Sequence, residues 1–267
     1  MLNLQEFWLG LSNALMIPSV ILGGFWWERS QVFQESLRDQ GLVIILPGIE
    51  GRSILNRGVA WGLMDAGVPY ALEIYDWTTG YRLPLSHLRW KNRNARLAAV
   101  IAEKICDYQD EHPGKPVYVI GHSGGGGMAV RILEALPDDH KLTKVILLAP
   151  AVAPQHDLRY AITRTEQGIV HYCSLGDVFL LGIGTLVMGT VEGIHSCSAG
   201  MVGFAPFNKL QMIDDRGEPL PRLNEIPYQF PMALNWNWGG HFGCVNRIFV
   251  KYEIAPHLTE SQVTPDS

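Results

Sequence analysis

Basic charge is scarce in this 267-residue chain: 21 Lys and Arg face 26 Asp and Glu, for a formal net charge of −5. Binding to nucleic acid through counterion release needs a basic surface, so no nucleic-acid partner is expected. Cysteine is scarce too. Cys106, Cys173, Cys197 and Cys244 form no CxxC pair and no zinc-type Cys/His spacing, and His195 with Cys197 offers too few ligands, so no metal site is expected. Four thiols this far apart in a long chain do not make a disulfide scaffold, and they read as free, buried side chains. Internal repeats, low-complexity segments and Pro/Ser-rich linkers are also missing. With 47 % hydrophobic and only 18 % charged residues, the composition is that of a chain with a large core, which excludes disorder.

Phe7 to Trp27 is a run of 21 residues without a charge, about the length that spans a bilayer. Ser12, Asn13, Pro18 and Ser19 interrupt it, no Lys or Arg precedes it, and no A-x-A-like site follows, so it makes neither a clear signal peptide nor a good spanning helix. An apolar N-terminal helix packed on the domain is expected. A membrane anchor or interfacial segment through residues 7–27 is the alternative, so the location reads as cytoplasmic or peripherally membrane-associated.

From residue 41 onward short apolar runs alternate with helical patterns. The strand candidates are Leu42 to Leu46, Tyr70 to Tyr75, Val117 to Ile120, Lys144 to Ala149 and Ile169 to Cys173. A sixth falls within Tyr228 to Leu234, where Pro231 pushes it toward a sheet edge. Helical spacing joins Ile54, Leu55, Val59 and Leu63 before Gly67, and covers roughly Asn94 to Glu111 before Pro113 and Gly114; a third helix runs on to Pro137. The fold class is therefore α/β, a mostly parallel sheet of about six strands with helices on both faces. One domain over 41–258 is expected, with a helical extension over 1–40 and a flexible tail over 259–267. The long loop Asp76 to Asn92 carries Trp77, Tyr81, Arg82, Arg89 and Lys91 toward the carboxyl ends of the strands, where ligands bind in such sheets, which makes Trp77 and Tyr81 candidate substrate contacts.

The run Gly121-His122-Ser123-Gly124-Gly125-Gly126-Gly127 follows the third strand directly. As a phosphate-binding P-loop it fails, because Gly126-Gly127-Met128 has no Lys. As a dinucleotide fingerprint it matches G-x-G-x-x-A through Ala129, but the next strand ends Leu148-Ala149-Pro150 without the carboxylate that would hold a ribose. As G-x-S-x-G it puts Ser123 at the apex of a sharp strand-to-helix turn, with glycines where side chains would crowd. That pattern resembles the nucleophile elbow of the α/β-hydrolase superfamily, in its compact form, and the resemblance extends over roughly Gly41 to Phe249.

The resemblance implies a constellation in the chain order Ser, acid, His. Its acid is Asp177, after Ile169 to Cys173, with Asp157 as a rival after the preceding strand; its base is His241 in Gly239-Gly240-His241-Phe242-Gly243, chosen over His195 and His257. His122, inside the elbow, fills space beneath the turn. The oxyanion donors are the Gly124 N–H and, from a loop similar to HGxxG with Pro47 in place of His, the Ile49 N–H. Glu50 in that loop departs from the pattern, since a carboxylate facing an oxyanion opposes catalysis; its side chain must turn away or pair with Arg52. The implied function is a serine hydrolase, esterase- or lipase-like, that cleaves a small-molecule or lipid carboxylic ester through an acyl-enzyme on Ser123, with no cofactor. A thioesterase or acyltransferase, and a non-catalytic binding protein of the same fold, remain alternatives. The apolar stretch Val178 to Phe204 reads as either an acyl-binding wall or ordinary core.

Overall fold

The computed structural model describes residues 2–18, 30–51, 53–79, 90–177, 190, 194, 196–211, 213 and 217–259. Seven strands form one sheet: β1 (Ser30–Phe33), β2 (Leu42–Leu46), β3 (Ala71–Tyr75), β4 (Val117–His122), β5 (Lys144–Leu148), β6 (Ile169–Cys173) and β7 (Leu223–Pro227), in the order β1-β3-β2-β4-β5-β6-β7. Only β1 runs antiparallel, at the edge beside β3. Four longer helices accompany it: α1 (Leu4–Leu15), α2 (Ile54–Asp65), α3 (Lys91–Glu111) and α4 (Gly124–Ala135).

The topology follows from which faces are apolar. Every residue of β2 is buried, because its two faces are both covered. Val43 and Ile45 pack with Leu55, Val59 and Leu63 of α2 and with Phe249, Val250 and Ile254 near the C-terminus. Leu42, Ile44 and Leu46 pack on the other side with Ile101 and Ile105 of α3 and Ile132 and Leu133 of α4. The chain leaves β2 through α2 to reach β3 on one side, then returns through α3 to β4 on the other. With right-handed crossovers, that reversal puts α2 and α3 on opposite faces. It also opens a crevice at the carboxyl ends of β2 and β4, where strand order reverses and ligands bind in open α/β sheets. Leu46 and Gly121, paired across that point, are followed by the loop that begins at Pro47 and by the turn at Ser123.

Two sequence expectations change. The sixth strand does not lie within Tyr228 to Leu234: β7 occupies Leu223–Pro227 just upstream, and Phe230–Asn235 is a 3-10 helix with Pro231 in its first turn, where the missing N–H costs nothing. The first 40 residues are not purely a helical extension either, since β1 joins the sheet. The tail beyond residue 259 lies outside the described residues, as do Arg52, Tyr81, Arg82, Arg89, His195 and residues 178–189.

Candidate active site

Ser123 sits between the last residue of β4 and the first of α4 with φ 54° and ψ −120°, a conformation that L-residues rarely adopt. Such strain persists only where the surroundings over-determine it. Here three hydrogen bonds do so: the Ser123 N–H donates to Leu148 O at 2.9 Å, and Ser123 O accepts from Gly126 N at 3.0 Å and Ala151 N at 2.9 Å. The glycines are required by space. A β-carbon on Gly121 would lie 2.4 Å from Gly125 O, and one on Gly125 would lie 2.3 Å from Leu46 O and 2.4 Å from Pro47 O. The turn and the loop after β2 thus touch backbone to backbone.

His241 and Asp177 meet in this crevice. His241 Nδ1 lies 2.5 Å from Asp177 Oδ2, with both side chains buried. A carboxylate accepts, so Nδ1 carries the proton and Nε2 keeps its lone pair. The imidazole is held beside the elbow by His122, whose Nε2 lies 3.1 Å from His241 O and whose ring centroid is 4.8 Å from that of His241. Because that oxygen accepts, Nε2 of His122 is the protonated nitrogen. Among the described residues Ser123 Oγ has no hydrogen bond to His241. Asp157 stays outside the site, exposed and paired with Arg159 through three guanidinium hydrogen bonds. His257 contacts the Tyr172 hydroxyl at 2.9 Å instead.

The loop after β2 turns tightly, Gly51 N donating to Gly48 O at 3.1 Å. Ile49 Cγ2 lies 2.9 Å from where a β-carbon on Gly124 would stand, so the two expected oxyanion donors are neighbours. Gly124, as the first residue of α4, has an N–H with no intrahelical acceptor. Trp77 departs from its expected role. It is only 1 % exposed, its indole N–H donates to Pro47 O at 2.7 Å, and its ring reaches within 3.1 Å of the Gly124 β-carbon position. It braces the loop after β2 against α4.

Glu50 does not turn away. Its Oε2 is 2.2 Å and Ser123 Cβ is 3.2 Å from the position of a β-carbon on Gly48, so carboxyl and nucleophile flank one point. Oε1 is buried without a hydrogen-bond partner. Burial raises the carboxyl's pKa above its ordinary value, against the opposing pull of His241 and nearby hydrogen bonds. Its inward direction was not readable from sequence, because a tight turn can send that side chain to either side.

Cys106, Cys173, Cys197 and Cys244 are free thiols. Among the described residues one trio has ligand-like spacing, His171, Cys173 and Glu225. Glu225 already holds Lys209 Nζ at 2.6 Å, Phe204 N at 2.9 Å and His171 Nδ1 at 3.1 Å, so its lone pairs serve an internal network that ties β6 to β7. That arrangement is structural.

A mostly parallel sheet with its serine on a strained turn at the strand-order reversal is the α/β-hydrolase fold, and this chain has that fold. Residues 94–173 match the family described as serine aminopeptidase, S33, a segment that includes the elbow but neither Asp177 nor His241. Lipase B of Aspergillus fumigatus is structurally similar, at 12 % identity over 87 % of this chain and 56 % of that one, with a TM-score of 0.51. An esterase from Exiguobacterium antarcticum aligns at 20 % identity over 49 % of this chain and 43 % of its own, TM-score 0.34. A dienelactone hydrolase-like promiscuous phosphotriesterase from metagenomic libraries aligns at 17 % identity over 51 % and 58 %, TM-score 0.38. The chain thus spans about half the length of these three structures. No curated protein matches it.

The burial of His122 has a measurable consequence. Burial first, and His241 second, drive its pKa from 6.5 to about 3. Between those values the unfolded chain binds a proton that the folded one refuses, so stability is complete above about pH 6.5 and declines as pH falls. His171, buried with its pKa also lowered, acts in the same direction. Urea denaturation between pH 7 and pH 4 is expected to show a steady loss that is shallower in His122→Gln; an unchanged slope would count against this placement.

Proposed function

We propose that this protein is a serine hydrolase that cleaves a carboxylic ester through an acyl-enzyme on Ser123. The observation that carries the reading is the buried Asp177–His241 pair standing beside a serine held at φ 54° on a strand-to-helix turn. A serine hydroxyl is a weak nucleophile at neutral pH and needs a base to take its proton as it attacks. His241 Nε2 is that base, and Asp177 fixes the tautomer and stabilises the imidazolium that forms. The missing Ser123–His241 bond is compatible with this role, since such bonds are frequently long in unliganded proteins and tighten in the complex.

The tetrahedral oxygen develops beside Gly124 N–H and Ile49 N–H, at the positive end of α4. Glu50 faces the same space, and its protonation state decides what it does there. Ionised, it repels the oxyanion; neutral, it removes that repulsion and supplies an O–H donor. Burial favours the neutral form. As the tetrahedral intermediate collapses, the C–O bond to the alcohol breaks and the His241 imidazolium gives its proton to the leaving oxygen; water, with His241 again as base, then opens the acyl-enzyme and frees Ser123. Ile49 beside Gly124 and Phe242 beside His241 give the elbow apolar surroundings that suit an uncharged acyl substrate such as an ester.

Two measurements test the reading. A fluorophosphonate probe is expected to label the wild type and not Ser123→Ala. With p-nitrophenyl esters, Asp177→Asn should lower kcat by about 10⁴-fold through the wrong imidazole tautomer. Absence of label on the wild type would favour a binding protein of the same fold. The second measurement concerns pH. Burial raises the Glu50 pKa, so activity of the wild type is expected to fall as pH rises and Glu50 ionises; Glu50→Gln should abolish that fall. An identical profile in both proteins would remove Glu50 from the mechanism.

A further inference from the structure

The N-terminal helix α1 is amphipathic in the reverse of the usual sense. Glu6, Gly10 and Asn13, at i, i+4 and i+7, form its buried side. Polar contacts hold that side down. Glu6 accepts from Lys251 Nζ at 2.6 Å and from the Tyr252 hydroxyl, Asn246 Nδ2 donates to Gly10 O at 3.1 Å, and Asn13 Oδ1 accepts from Arg247 N at 3.4 Å. Gly10 lies against the Trp236 indole, which leaves no room for a β-carbon. The opposite side carries Leu4, Trp8, Leu11 and Leu15 at i, i+4, i+7 and i+11, flanked by Phe7. Leu4, Phe7, Trp8 and Leu15 are exposed, Trp8 at 58 %. A helix packed for stability alone would turn these outward residues inward.

The patch continues onto a second element. The Phe7 ring lies tilted against Trp236 with centroids 5.3 Å apart, and the segment around Trp236 exposes Phe230, Leu234 and Trp238, at 81 %, 74 % and 70 %. That segment leads directly into His241. Exposed apolar surface built from two distant parts of the chain that touch through Phe7 and Trp236 marks an interaction site.

We infer that this face docks the protein on a neutral lipid surface, with α1 lying in the interface and Trp8 and Trp238 at headgroup depth. Three observations favour lipid over protein. The exposed side chains of α1 include no Asp, Glu, Lys or Arg, so it offers nothing to pair with a charged rim. Tryptophan with large aliphatics is the composition that suits a membrane boundary. A helix of 12 residues, about 18 Å long and about 10 Å wide, presents roughly a quarter of the ~800 Å² per partner that a stable dimer buries. The same length is short of a ~30 Å bilayer core, and no described helix is long and apolar enough to cross a membrane, so α1 lies on the surface. The inference does not rest on the hydrolytic reading, because binding is measured without turnover.

Flotation of the full chain with phosphatidylcholine vesicles, at low and high salt, tests it. The protein is expected to float at both, since attraction of charge plays no part. Trp8→Ser should lower partitioning about tenfold or more, and Leu4→Ser, Trp8→Ser and Leu15→Ser together should leave the protein in the aqueous fraction with an unchanged melting temperature. The inference is overturned if the wild type fails to float, or if the triple variant floats as well as the wild type. It is equally overturned if the variants melt early or break up a lipid-free dimer, since the stripe is then covered by protein.

Discussion

The backbone at Ser123 is the constraint on which the rest of the site depends. A non-glycine residue at φ 54° and ψ −120° is held there by a hydrogen bond from its N–H to Leu148 O and by two that its carbonyl accepts from Gly126 and Ala151, and that geometry demands empty space at residues 121 and 125. The contact of Gly125 with Leu46 O and Pro47 O sets the distance between the elbow and the loop after β2. Trp77, locked to Pro47 O, closes the same joint from the side. Ser123 and the loop after β2 are therefore positioned by one packed joint at the point where strand order reverses.

Charge in this small volume is arranged by burial. His122 is kept neutral and uses its one N–H to hold the backbone of His241, while His241 turns its own Nδ1 to Asp177. Glu50 enters the same space with one oxygen lacking any partner, and burial holds it toward the uncharged form. Two imidazoles and two carboxyls thus share the crevice without requiring four full charges in a poorly solvated place, where an unpaired charge is costly.

Much of this was legible in the letters because it depends on local geometry. G-x-S-x-G between a β-forming run and a helix has a steric reason, and the five apolar runs through Cys173 are buried strands because both sheet faces are covered. The last strand was not legible: Leu223–Pro227 contains Asn224 and Glu225, is only partly buried, and carries neither the apolar content nor the alternation of a central strand. The four-residue β1 is too short to announce itself. Trp77 in a long loop read as a ligand contact, whereas its burial and its bond to Pro47 come from a tertiary approach that no spacing encodes. The reversal of α1 was hidden for a similar reason. An uncharged run suggests burial, and only the positions of Lys251, Tyr252 and Arg247 reveal that Glu6 and Asn13 face inward.

The account centres on Ser123, Asp177 and His241 acting as one unit, and non-additive kinetics test that most directly. The measurement compares kcat/KM of Ser123→Ala, His241→Ala and the double variant on one activated ester. Residues that work in a single step should give losses in the double variant no larger than in Ser123→Ala alone. Losses that multiply would show that the serine and the histidine act independently, and would contradict the account.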